Sequence, residues 1–367
     1  MERTVLLVHN TVTGDFIADL SHLLAGGSGT DQIVGFGDAT IQLSGAAEVK
    51  KGQRTGAQAW AMLEPNLVEV TLATADDTGR ITAIMFSGVV LDVNWSDETG
   101  LIEVYAEQIR TLMQNRMTFG VFNHHEGDFK VKNVSREAAI RAILTRATEW
   151  GGNWPLPLDL PTGGAGGFSA DVSRWDITTI EDLIVQLEKY GSEVRFAPYL
   201  TSALQLRHTV TVAPRIIGAT TVVSVTAPRS PLRKYTAGKN GTRQVTGTFV
   251  TGKGMGSKIP YAGAGNAAGP PIPVRDSYRA ASDISDQAVL QSYATADLAA
   301  DRSPRVSVAF EIVPNERYPY LLFAPSRVLT VERHKHPVLP DDSTDYRVTQ
   351  LRFDLSTDVL TPTLEVL

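Results

Sequence analysis

The chain has 367 residues, a formal charge of −6 and no cysteine, with 43% hydrophobic and 20% charged residues. That length and composition belong to a globular protein able to build two or three cores. The acidic balance excludes recognition of nucleic acid by phosphate neutralisation, which needs a basic face, and the missing cysteines exclude disulfides, thiolate metal sites and a cysteine nucleophile. No apolar run approaches the roughly 18 residues of a membrane-spanning helix, and the start, Met1–Val8, lacks a signal peptide's apolar core and cleavage site.

The first segment, residues 1–119, reads mostly as strands. Val68, Val70 and Leu72 alternate with Glu69 and Thr71, and Asp76-Asp77-Thr78-Gly79 turns the chain into a run over 81–93. Val89, Leu91, Val93 and Trp95 share one face by the two-residue period. Gly88 predicts a bulge or sharp bend. A turn at Asp97–Gly100, a strand over 101–105 and a short helix near 106–114 complete an antiparallel meander of barrel or sandwich type.

The second segment, residues 120–215, changes period. Ser135 is placed to cap a helix with the stripe Ala139, Ile140, Ile143, Leu144 and Ala147, ended by Gly151. Thr178 and Glu181 have the spacing of a capping box. The helix they open carries Ile180, Leu183, Ile184 and Leu187 on one side and stops at Gly191. Strands over 193–197 and 209–212 make this an α/β insert.

The third segment, residues 216–367, returns to strands. Asn240-Gly241 predicts a two-residue hairpin turn, and the Gly/Ala/Pro-rich stretch 252–273 a mobile excursion. A helix over 285–302 turns Val289, Tyr293, Ala296 and Ala300 toward a sheet, and strands over 305–312, 346–355 and 359–366 follow. The expected fold is mainly β with an α/β insert.

Candidate chemistry is sparse. Gly247-x-x-x-x-Gly252-Lys253 is one residue short of a phosphate-binding loop, because Gly254 stands where Ser or Thr must hold magnesium. His124-His125-Glu126 reads as a polar turn and His334/His336 as an exposed tip, each short of a metal's ligand count. Asp76-Asp77 and Asp341-Asp342 sit in turns, where aspartate bonds its own backbone. Trp95, Trp150, Trp154 and Trp175 could stack on sugar, with core packing the better reading. No residue is assigned to catalysis, a cofactor or a metal.

Three stretches together resemble a known family. They are Phe86–Val93 followed by Leu101–Tyr105 and Leu112–Arg116; the capped helix 178–190 running into Gly191–Phe196; and the helix 285–302 followed by Tyr346–Phe353 and a final strand. This order resembles the tail hub proteins of long-tailed bacteriophages, the baseplate-hub or "minor tail" proteins met in actinobacterial siphophages. The resemblance implies two tube-like β-barrel domains, here residues 1–119 and 216–367, with a smaller domain between them. It implies a homotrimer forming a pseudo-sixfold ring at the tail tip, assembled in the host cytoplasm. The implied partners are the distal tail protein, the tape-measure protein and a downstream tip, fibre or spike protein, with the genome passing through the lumen. Many such proteins carry a C-terminal peptidase, lysozyme-like domain or fibre; the chain stopping at Leu367 creates the expectation that none is carried here. The alternatives are a tail-associated cell-wall hydrolase and a receptor- or glycan-binding tip protein.

Overall fold

Backbone pairing between distant strands dominates the computed structural model, which describes residues 3–120, 124–149, 156–265, 273–282, 284–303 and 305–367. The first segment gives β1 (Arg3–Asn10), β2 (Phe16–Asp19), β3 (Leu24–Gln32), β4 (Asp38–Ser44), α1 (Gly56–Met62), β5 (Val68–Ala75), β6 (Ile81–Ser96) and β7 (Leu101–Glu107). The second gives β8 (Phe129–Val134), α2 (Arg136–Glu149), β9 (Leu158–Asp159), β10 (Phe168–Val172), α3 (Ile180–Lys189), β11 (Glu193–Leu200) and β12 (Leu206–Ala213). The third gives β13 (Thr220–Ser224), β14 (Leu232–Asn240), β15 (Gly247–Thr251), β16 (Tyr261–Gly265), β17 (Asp276–Ala280), α4 (Gln287–Asp301), β18 (Arg305–Ile312), β19 (Val328–Arg333), β20 (Asp342–Asp354) and β21 (Val359–Val366). Strand outweighs helix, 45% to 19%, so the mainly β expectation holds.

The chain folds as two compact units, Met1–Lys234 with Phe310–Leu367, and Tyr235–Ala309. In the first, one sheet runs β18-β21-β20-β3-β4-β7-β6-β5-β1-β2, with β14 beside β18. The step from β20 to β3, Gln350 opposite Gln32 through Asp354 opposite Ser28, joins the end of the chain to its beginning. The resemblance implies two tube-like barrels; among the described residues the strands of both outer segments, apart from β15, β16 and β17, lie in one continuous sheet whose pairing does not close into a ring.

Three local details differ from the sequence reading. Gly88 sits in register opposite Val70, and the irregularities fall on either side of it, at Thr82 and Met85 before it and at Leu91 after it. The glycine serves close approach instead: a Cβ there would lie 2.6 Å from the Phe86 ring and 2.8 Å from the Glu107 carbonyl carbon. The extra residue at Leu91 also reverses the alternation, so Val93 and Trp95 share a face with Val90 and not with Val89. The helix expected near 106–114 is a 3-10 turn over Ile109–Met113, because β7 continues to Glu107.

The insert follows its stripes closely. The Ser135 hydroxyl accepts from the Ala138 N–H at 3.2 Å, and every residue of both predicted stripes is buried. The capping box lies one residue later than expected, on Thr179 and Asp182. That register leaves Glu181 free for another partner. Gly191 ends α3 with φ +84°; Gly151 lies outside the described residues. One apolar cluster runs from α2 and α3 through β11 and β12 into Val89, Ile109 and Met113, so the insert and the sheet share a core.

In the second unit, β15 pairs antiparallel with β16 and parallel with β17. The excursion expected over 252–273 thus contains a strand, β16, whose Ala262 is buried, while residues 266–272 lie outside the described residues. Asn240-Gly241 makes no hairpin: the Asn240 side chain accepts from Thr242 N–H at 2.8 Å, an Asx turn, and β14 pairs with β18. Helix α4 buries Leu290 and Ala294, leaving Ala296 and Ala300 exposed, one residue round from the predicted face. The Asp286 cap, bonded to the N–H groups of Ala288 and Val289, fixes that start.

Replacing Leu183 by Ala is expected to cost about 2–5 kcal/mol, and Gly88 by Ala about 1–3 kcal/mol through overpacking. Both are read as a lower midpoint of urea unfolding.

Candidate functional site

The sequence-marked positions do not converge. Residues 247–251 of the near phosphate loop form β15, and only a 3-10 turn at Gly256–Lys258 follows, so no helix N-terminus faces Lys253. His124–Glu126 form a 3-10 turn, with His124 edge-on to Phe119. His336 uses its Nδ1 to accept from the Val338 and Leu339 N–H groups in an exposed loop. Among the described residues no group of three His, Asp or Glu side chains is placed to hold a metal. Core packing fails for two tryptophans: Trp95 is 45% exposed at the uncovered end of β6, and Trp175 is 72% exposed in a 3-10 turn. Trp150 and Trp154 lie outside the described residues.

What the structure does bring together is a seam of buried charge between the insert and the sheet. Arg110, beyond β7, forks onto α3, reaching Glu181 at 2.7 Å and Glu188 at 2.7 Å. Burial works against the Arg110 charge, but bonds from Glu188 and Glu181 more than offset it and hold its pKa above the ordinary value. Glu181 and Glu188 are seven residues apart, two turns of one helix face. Arg347 of β20 binds Glu193 of β11 at 2.6 Å and Glu365 of β21 at 2.5 Å. Arg195 of β11 reaches Asp31 of β3 at 3.3 Å, and Gln108 donates to the same carboxyl at 2.7 Å. Burial pushes Asp31 up, with Arg195 opposing.

Beneath this seam lies a polar cluster on β1, β5, β6 and β12. Glu69 is fully buried, 3.1 Å from His208 Nε2, and accepts from the Ser87 hydroxyl at 2.9 Å. Thr71 contacts Ser87 and His9, and His9 Nε2 meets the Leu204 carbonyl. Serine, histidine and glutamate together invite a hydrolase reading, yet the order is wrong. A nucleophilic serine gives its proton to imidazole, whereas Ser87 donates to the carboxylate, and the set has no opening to solvent. It is a structural network. The sequence concealed it because Glu69, alternating with valines, reads as a solvent-facing position.

A cavity in the first unit has Met85, Tyr320 and Phe353 among its apolar lining and Asp76, Asp354 and Asp358 among its carboxylates. A glycosidase acid needs a raised pKa. Here hydrogen bonds from Thr78 and Ser356 within their own turns hold Asp76 and Asp354 below the ordinary value. Among the described residues no histidine, lysine or arginine lines the cavity.

No family model matches the chain, and no curated protein matches it. Solved structures do. The chain is similar to a tail protein from Neisseria meningitidis, at 13% identity over 99% of this chain and 96% of that one, with a TM-score of 0.53. It is similar also to the 43 kDa tail protein of prophage MuSo2 from Shewanella oneidensis, at 10% identity over 100% and 98%, with a TM-score of 0.57. The fold is that of a phage tail protein. An E. coli type VI secretion component, itself similar to the bacteriophage T4 tail proteins gp27 and gp5, shares this tail-protein fold at 10% identity over 94% of this chain and 73% of that one, with a TM-score of 0.50.

Removing one partner of a buried pair leaves the other uncompensated, so Arg110→Ala is expected to cost about 3–5 kcal/mol, measured by denaturant unfolding. Burial holds His9 below the ordinary histidine value, with Glu69 opposing. Its contribution to stability is therefore complete above the unfolded pKa, about 6.5, and is lost as pH falls toward the folded value. The melting temperature should fall between pH 7 and 5, and less so in His9→Gln.

Proposed function

We propose that this chain is a structural hub subunit at the distal end of a phage tail, acting as a homotrimer. The observation that carries the reading is the end-to-end likeness to tail proteins of nearly the same length, covering 99% and 100% of this chain and 96% and 98% of theirs. In this reading residues 1–119 and 216–367 are the two hub β-domains and 120–215 the domain between them. Two related domains in each of three copies give a ring that meets a sixfold tube above and a threefold tip below.

Two features of the chain support a ring. The end strand β2 pairs only with β1, and β13 only with β19, among the described residues. Such free sheet edges are what neighbouring subunits cover. The partners are the distal tail protein, the tape-measure protein and a downstream tip, fibre or spike protein. The role is mechanical and non-enzymatic: the ring joins tube to tip and guides DNA ejection, and the net charge of −6 leaves passing DNA unbound. An actinobacterial siphophage source belongs to the same proposal.

Light scattering of the purified protein, alone and mixed with the distal tail protein, checks this reading. Three protomers per particle is the expected mass. A species that stays monomeric in both samples, and does not enter tails in an assembly extract, contradicts it.

A further inference from the structure

The second unit has one covered face and one bare one. Helix α4 covers the side of the sheet that carries Val250 and Ala262. The other side presents Phe249 from β15, Tyr261 from β16 and Tyr278 from β17, exposed at 42%, 61% and 66%. The register sets Phe249 between Gly263 and Tyr278, with Thr251 opposite Tyr261. Phe249 is tilted at 34° to Tyr261, 5.3 Å away, and closer to parallel with Tyr278, at 28° and 6.4 Å. The Tyr278 hydroxyl shares a hydrogen bond with the Thr251 hydroxyl at 2.8 Å.

Beside the rings the strands are almost bare. Gly247 pairs with Gly265 on one side and Asp276 on the other. A groove follows this row, lined by Phe249, Gly263, Gly265, Val274 and Asp276. A Cβ on Gly247 would lie 2.8 Å from the Asp276 carboxylate, so the glycine leaves the space that this carboxylate occupies over the strand.

We propose that this face is a carbohydrate-binding site for a neutral, hydroxyl-rich oligosaccharide. A pyranose has an apolar C–H face and a rim of hydroxyls. Aromatic rings take the first, and a carboxylate and hydroxyls beside them take the second. The arrangement here supplies both: three rings, the Asp276 carboxylate, the Thr251 and tyrosine hydroxyls, and a glycine row low enough to admit a sugar ring. Exposed rings gathered on one sheet face mark a binding surface, because leaving them in water forgoes their burial. A flat apolar protein partner would strip the Asp276 carboxylate of water, and charged groups are depleted from the cores of such interfaces for that reason. A sugar hydroxyl restores that hydrogen bond. The same carboxylate disfavours acidic polysaccharides. The site lies wholly within residues 235–309 and does not rest on the trimeric hub reading.

The test is calorimetric titration of the full-length protein with cellotetraose and with chitotetraose, and with a uronic-acid tetramer as the acidic counterpart. At least one neutral tetramer should bind more tightly than the acidic one. Phe249→Ala and Tyr278→Ala should each weaken binding roughly tenfold, the scale of one aromatic contact. Because these side chains are partly exposed, the variants should stay folded, with the melting temperature lowered by only a few degrees through the lost ring contacts. Failure of both neutral tetramers to bind, or binding that the two variants leave unchanged, overturns the proposal. So does a wild-type protein blind to sugar whose Phe249→Ala variant cannot enter tails, which would make the face a protein-docking surface. Protomer number, read separately by light scattering, keeps this outcome distinct from that of the hub reading.

Discussion

The buried charge seam is the constraint on which the first unit depends. Arg110, Arg195 and Arg347, with their carboxylates, and Glu69 with His208, tie the sheet to α3, β11 and β12. Burying such charges costs several kcal/mol per ion before their attraction is counted, so an apolar interface of the same area would hold at least as tightly. A guanidinium fork engages its carboxylates in only a few geometries, whereas aliphatic contacts tolerate sliding. We read the seam as a device that fixes one orientation of the insert, laid over an apolar cluster that supplies the attraction. In the proposed ring such a fixed orientation would matter, since an error in orientation is multiplied by each neighbour.

The second constraint is topological. Because β20 pairs with β3, strands of the first and last segments share one sheet, and the insert lies between them in the chain. The smaller unit leaves and rejoins the chain through β14 and β18. It carries its own three-stranded sheet, its own helix and the aromatic face. The two proposals so fall on different parts of the chain: assembly on the sheet with free edges, and recognition on the small unit.

Much of the fold was legible because it follows periodicity. The stripes of α2 and α3, the Ser135 cap, the Gly191 stop and the closing strands all rest on local spacing. What was not legible depends on distant partners. Glu69 and Thr71 alternate with apolar residues as on a half-solvated strand, yet every residue of β5 is buried, and Glu69 meets His208 of the insert. Thr178/Glu181 and Thr179/Asp182 offer competing caps one residue apart, and the choice is tied to Arg110, which needs Glu181. The aromatic face was hidden because Phe249, Tyr261 and Tyr278 come from three strands, one of them inside a stretch whose glycines read as a loop. Gly247, in the strand before that stretch, leaves the space in which the Asp276 carboxylate stands. The tail-hub resemblance pointed to a phage tail protein fold at a sequence identity near 10%, where letters carry little, while the two closed barrels it implied are not found.

The central claim is that this chain forms a ring at the tail tip. Its most direct test is averaged electron microscopy of intact tails beside tails assembled without this protein. The account predicts a threefold ring of this chain's volume at the distal end of the tube, absent from the second sample. Identical tips in both samples, or a ring of different copy number, would contradict it.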